Sequence, residues 1–103
     1  MKPLEFLGDS LEQLRAFPET ARKEAGVQLH KVQLGLEPSD WKPMSSVGQG
    51  VREIRIRDEA RIFRVLYVAT LEDAIYVLHA FQKKTQRMAD QDRDLARARF
   101  KQI

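Results

Sequence analysis

Apolar and polar positions alternate weakly over Lys2 to Leu7, with Leu4 and Phe6 on one side and Glu5 between them, which is the period of a short strand. Gly8-Asp9-Ser10 then offers a capping residue, and Leu11 and Leu14 follow at helical spacing. Proline suits the first turn of a helix and not its interior, so Phe17-Pro18 marks a second helix start rather than a kink. Along that helix Ala21, Ala25, Leu29, Val32 and Leu36 form one stripe, with Gly35 available to end it. The two helices are expected to form an antiparallel pair.

Between Gly35 and Gly50 the chain holds three glycines, two prolines and three serines, the chemistry of a long connection. Trp41 is its one large residue: either it pins the loop to the core, the better reading for an indole, or the loop borders the site. Val51 to Arg57 alternates strictly, with Val51, Glu53, Arg55 and Arg57 on one face and Arg52, Ile54 and Ile56 on the other. It therefore reads as a half-buried strand with a cationic outer face. Asp58-Glu59-Ala60 connects it to Arg61–Ala69, rich in β-branched and aromatic residues, and Leu71-Glu72-Asp73 leads on to a third strand, Ala74 to Phe81. The tail from Ala89 to Gln102 opens with Asp90, Asp92 and Asp94 and closes with Arg97, Arg99 and Lys101, matching a helix dipole; Leu95, Ala98 and Phe100 are its docking candidates. The expected fold is α+β: strand, two helices, three-stranded antiparallel meander, C-terminal helix, with the helices packed on one side of the sheet.

Composition narrows the class. A chain of 103 residues supports one core, so residues 1–103 are expected to form a single domain. With 43% apolar and 32% charged residues it has a globular balance. The absence of cysteine excludes disulfides and thiolate chemistry and suits the cytoplasm. No apolar run reaches the roughly 18 residues of a membrane helix, and no signal-peptide pattern opens the chain, so a soluble protein without a membrane partner is expected. The net charge of +3 is unevenly placed: residues 1–51 hold six Lys/Arg against seven Asp/Glu, whereas 52–103 hold twelve against eight. A basic second half can draw in a polyanion.

Most familiar site chemistries find no residues here. Gly48-Gln49-Gly50 lacks the helix and Lys-Ser/Thr pair of a phosphate loop. His30 and His79 fall on different elements without a carboxylate cluster, so neither a metal site nor a cofactor is expected, and His30 reads as a surface residue. Ser10, Ser39, Ser45 and Ser46 lie in capping or loop contexts, away from any base. The cations remain: Arg55 and Arg57 on one strand, Arg61 and Arg64 on the next, His79 on the last, and Lys83-Lys84 beyond it. Guanidinium groups grip phosphate oxygens, and a lysine among other cations has a depressed pKa, a combination suited to cleaving RNA through its 2′-hydroxyl. Arg64 shares a face with Ile62, Leu66 and Val68, where an unpaired charge is costly unless functional, and His79 shares one with Ile75, Val77 and Phe81, where a core histidine is nearly as good a reading as a catalytic one.

Three segments carry a family resemblance: Arg52-Glu53-Ile54-Arg55-Ile56-Arg57, Phe63-Arg64-Val65-Leu66-Tyr67, and Leu78-His79-Ala80-Phe81-Gln82-Lys83-Lys84-Thr85. Together with Trp41-Lys42-Pro43-Met44 they resemble the RelE/ParE superfamily of toxins, most closely its HigB-like and phage-derived members. The resemblance implies a cytoplasmic toxin of a type II toxin–antitoxin module that cuts mRNA on the ribosome. Its partners would be ribosome, mRNA and a cognate antitoxin with a helix-turn-helix domain, with DNA met only through the antitoxin complex. It implies Arg64 as a phosphate or transition-state contact, Arg55 and Arg57 as RNA contacts, and Lys83 and Lys84 as the basic pair after the last strand. Many RelE-like nucleases carry a catalytic tyrosine in the tail; here Tyr67 and Tyr76 both lie within strands, leaving His79 or a lysine as general base. The resulting expectation is a metal-independent endoribonuclease with Arg64, His79, Lys83 and Lys84 catalytic and Arg55, Arg57 and Arg61 binding RNA. Its rivals are a non-catalytic, ParE-like gyrase inhibitor on the same scaffold and a plain interaction module.

Overall fold

The computed structural model describes residues 1–84 and 87–103. In chain order these form β1 (Leu4–Phe6), α1 (Ser10–Arg15), α2 (Glu19–Gln33), β2 (Trp41–Pro43), β3 (Val51–Asp58), β4 (Arg61–Val68), β5 (Ile75–Lys83) and α3 (Asp90–Phe100). The expected meander is present as β3-β4-β5 and is extended at both edges. The five-stranded sheet runs β1-β5-β4-β3-β2, with β1 parallel to β5 and every other pairing antiparallel. The architecture is therefore α+β with a mixed sheet flanked by helices.

Helices cover both faces of this sheet, which corrects the expected one-sided packing. Phe63, Val65 and Tyr67 of β4 join Leu14, Phe17, Ala21, Ala25 and Leu29 in one core beneath α1 and α2. The alternate residues Leu66 and Val68 join Val51, Leu78 and Ala96 in a second core beneath α3. A strand apolar on both faces needs cover on both, because a bare face would leave a large hydrophobic patch in water.

Helix ends follow local chemistry. Pro18, at φ −53°, precedes α2, and Gly35, at φ +82°, follows it. Of the α2 stripe, Ala21, Ala25, Leu29 and Val32 are buried as expected, but Leu36 lies past the helix end and is 58% exposed. Asp9 precedes α1 without capping it by a side-chain bond; its carboxylate instead accepts from Arg99 at 2.6 Å. Trp41 sits on the short edge strand β2, half-buried, with the Arg52 guanidinium 4.0 Å from its ring centre, and belongs to neither core.

Helix α3 docks by a face other than the expected one. Ala96 and Arg99 are buried, Phe100 is partly so, and Leu95 and Ala98 are exposed. Arg99 donates to the Leu78 carbonyl at 2.9 Å as well as to Asp9, so one guanidinium ties α3 to β5 and to the start of α1. Gly8, at φ +55°, leaves room for it: a Cβ there would collide with the guanidinium.

Candidate nucleic-acid interface

Residues directly opposed across a sheet project from the same face. Arg55 opposes Arg64, which opposes Phe81; Arg57 opposes Ile62, which opposes Lys83; and Lys42 opposes Glu53. Lys42, Arg55, Arg57, Arg64 and Lys83 therefore share one face, the same that α3 covers further along. The apolar positions Val51, Leu66, Val68 and Leu78 lie under α3, and the cations continue beyond them.

At the centre of this group is a buried ion pair. Glu53 and Arg64 are 0% and 1% exposed, and Arg64 Nη1 donates to Glu53 Oε2 at 2.9 Å. Burial pushes the Glu53 carboxyl above its usual range, against the opposing pull of Arg64, Lys42 and Arg55. Arg64 Nε and Nη2 are buried with no hydrogen-bond partner among the described residues. These two nitrogens share one edge of the guanidinium, the edge that receives two oxygens of a phosphate or carboxylate. Arg55 Nε lies 3.8 Å from Asp40 and 4.0 Å from Glu53.

Lys83 lies partly buried at the end of β5. Desolvation, and then the charges of Arg64, Lys42 and Arg55, hold its ammonium below the ordinary lysine range. The same three neighbours act on Glu53 and Lys83, which places Lys42, Arg55, Arg64 and Lys83 in one electrostatic cluster.

His79 lies on this face because of a bulge. The register shifts between Leu66 and Tyr67, so that Leu66 opposes His79 while Tyr67 opposes Val77. The extra residue, Leu78, carries His79 onto the α3 face with Phe81 and away from Ile75 and Val77, which belong to the other core; the expected grouping is corrected accordingly. The His79 ring stacks on Phe81 at 4.8 Å, its Nε2 is 2.8 Å from Asp92 Oδ1, and its Nδ1 is buried with no partner among the described residues. His79 thus ties β5 to α3, with neither ring nitrogen open to solvent.

Arg61 does not join the cluster. It opposes Asp58 on the other face, bonds to it at 3.2 Å, and lies over the Phe63 ring. Lys84 is exposed just past β5, Arg57 is exposed on the shared face, and Thr85 lies outside the described residues. Sequence reasoning missed Lys42 as a site residue and placed Glu53 only on the outer, cationic face of its strand. The available signal was Glu53's place in the β3 alternation, between Val51 and Arg55 on one face.

The class this defines is a small α+β domain with a half-covered sheet face that ends in clustered cations. The chain belongs to the family described as Phage derived protein Gp49-like (DUF891), whose model matches residues 12–101. No curated protein matches the chain. Among the described residues, no helix is long and apolar enough to cross a membrane.

Proposed function

We propose that this protein is a RelE/ParE-type toxin of a type II toxin–antitoxin module, HigB-like in its residues, and that it acts as a ribosome-dependent mRNA endoribonuclease in the cytoplasm. The observation that carries this reading is the convergence of Lys42, Arg55, Arg64 and Lys83 on one face, around an arginine edge with no hydrogen-bond partner among the described residues. A phosphodiester fits the charge of that arrangement: Lys83 and the exposed Arg57 meet it at the open end of the face, Arg55 and Lys42 neutralise adjacent phosphates, and the buried Arg64 adds its charge from beneath.

The reaction is attack by a ribose 2′-hydroxyl on the neighbouring phosphorus. Lys83, whose proton affinity is lowered by desolvation and then by its cationic neighbours, takes the hydroxyl proton in its free-amine form and returns it to the departing 5′-oxygen. Arg64 and Arg55 stabilise the charge on the phosphorane. His79, held by Asp92 and stacked on Phe81, positions the strand. Glu53 fixes Arg64 and limits the net charge of the cluster. The silencing partner is an antitoxin encoded beside the gene, with a helix-turn-helix domain that supplies the contact to DNA.

The test is a ribosome-bound mRNA incubated with the purified protein. Cleavage within the codon in the decoding site, leaving a 2′,3′-cyclic phosphate, is the expected result, with rates at least about 100-fold lower for Lys83→Ala. Intact mRNA together with inhibition of DNA supercoiling by gyrase would replace this reading with the gyrase inhibitor.

A further inference from the structure

Helix α2 ends at Gln33, and Gly35, at φ +82°, turns the chain away before the sheet face beneath is fully covered. The uncovered end is where β3 begins and β4 finishes, with Arg52 opposing Tyr67; Lys83 opposes Ile62 at the other end of β4, on the other face. A cavity of about 370 Å³ occupies the gap. We infer that it is a binding site for a free α-amino acid with an aliphatic side chain, held as the zwitterion with its carboxylate on Arg52 and its ammonium on Glu37.

Most of the polar lining is already engaged. Lys2 donates from Nζ to the Ala69 and Leu71 carbonyls at 2.8 and 2.6 Å, and Gln33 donates its amide nitrogen to the Lys2 carbonyl at 2.9 Å. Thr70 adds an exposed, neutral hydroxyl. Arg52 and Glu37 differ from these: they stand 3.9 Å apart, too far for a hydrogen bond, and both reach solvent. Arg52 lies flat over the Trp41 ring, which leaves the donors in the plane of its guanidinium free to meet a carboxylate. The Tyr67 hydroxyl is buried with no hydrogen-bond partner among the described residues and lies close enough to feel the charges of both Arg52 and Glu37.

Charge decides the occupant. A lone anion on Arg52 would meet Glu37, and a lone cation on Glu37 would meet Arg52 and Lys2. An α-amino acid carries both charges on one carbon, which matches a cation and an anion held side by side, and it replaces a loose, solvent-screened pair with two charge-assisted contacts. The C-terminal end of α2, with its partial negative charge, borders the cavity through Gln33 and Gly35 and favours the ammonium. Val32, Leu36 and Ala69 supply an apolar wall. Leu36 continues the α2 stripe past the helix end yet is 58% exposed, so an aliphatic side chain seated against it would remove hydrocarbon from water. The volume lies near the lower bound of small-ligand sites, roughly 300–1,000 Å³, and suits one amino acid better than a longer peptide.

Titration of the full-length protein with leucine, followed by amide chemical shifts, tests the site. Leucine at millimolar concentration should move the amides of Gly35, Gly50 and Thr70 and leave those of Gln82 and Lys83 in place. N-acetylleucine, which keeps only the carboxylate, and leucinamide, which keeps only the ammonium, should each bind about 10-fold more weakly or worse. Alanine should fall behind leucine by a similar factor. Glu37→Gln, on an exposed loop, should weaken leucine by about 10-fold or more while N-acetylleucine binds at least as well as it does to the native protein. Arg52→Gln should abolish binding of both, and Glu37→Gln decides the matter if that variant fails to fold. Absence of shifts with leucine would overturn the site. Equal affinity for leucine and N-acetylleucine, or for leucine and leucinamide, would overturn it in favour of a seat for a chain terminus. None of these readouts involves RNA, so either failure leaves the nuclease reading standing.

Discussion

The two faces of one sheet divide the work of this molecule. Beneath α1 and α2 the core is apolar from Leu14 and Phe17 across to Ile54 and Val65, with the Tyr67 ring within it, and the charged residues of that face, Arg52, Asp58 and Arg61, lie outside the core. Beneath α3 only half of the other face is apolar; the rest holds a buried carboxylate, a buried guanidinium and a ring of further cations. Burial of hydrocarbon stabilises the first face by roughly 25 cal/mol per Å². The second face gives up part of that gain, because desolvating two charges offsets much of their attraction. On the function proposed above, the charged half serves ligand binding at some cost to folding.

Breaking the buried pair gives the largest expected effect on stability. Glu53→Gln leaves Arg64 as a buried cation without its counter-ion and should cost about 3–5 kcal/mol in urea denaturation. Arg64→Ala should likewise lower stability, so loss of toxicity in that variant alone is ambiguous. The double replacement Glu53→Leu with Arg64→Met should be far less destabilised than either single change, and inactive. Equal, additive losses would mean that the second face is held together by its charges after all.

The latch that holds α3 over the second face is expected to rank next. Gly8→Ala places a methyl against the Arg99 guanidinium and demands a positive φ from alanine. A loss of about 2 kcal/mol is expected, with the amides of α3 losing hydrogen-exchange protection before those of α2. Simultaneous loss in both helices would show that the two faces unfold as one unit.

The same latch has a pH signature. Its hydrogen bond from Arg99 holds the Asp9 carboxyl below its ordinary value of 3.8. The unfolded chain therefore takes up this proton more readily than the folded one. The contribution of Asp9 to stability is complete above pH 3.8 and declines as pH falls through the lower folded value. Stability measured against pH should show a shallower acid limb in Asp9→Asn, and an unchanged limb would remove the ion pair from the account of α3 docking.

The smallest effect lies at a site remote from both cores. Glu59, in the β3–β4 turn, has φ +56°, a conformation that side chains with a Cβ adopt at a cost. Glu59→Gly should raise stability by up to about 1 kcal/mol and leave activity unaltered.

Much of this was legible in the chain. The α2 stripe, the strict alternation of β3 and the run of β-branched residues in β4 are local signals, and they identify the central elements. Other features depend on contacts distant in sequence. The side on which α3 packs is set by the second apolar face of β4, visible in retrospect as the unbroken run Val65-Leu66-Tyr67-Val68. Strand β2 consists of three residues within a loop-like composition and exists because β3 offers it an edge. The Leu78 bulge leaves no mark on a strand apolar on both faces, yet it decides which face His79 occupies. The gathering of Arg55, Arg64 and Lys83 was legible from strand alternation. Lys42 and the burial of Glu53 were not, because they depend on that edge strand and on neighbours that cover the carboxylate.

The central claim is that the cationic face cuts RNA rather than merely binding an acidic partner. Primer extension on mRNA from cells expressing the protein, alongside the folded Lys83→Ala variant, tests it most directly. The account expects cleavages in phase with codons that disappear in Lys83→Ala while its melting temperature is unchanged. Uncut transcripts from cells whose growth the native protein arrests, or the same cleavages in the variant, would contradict it.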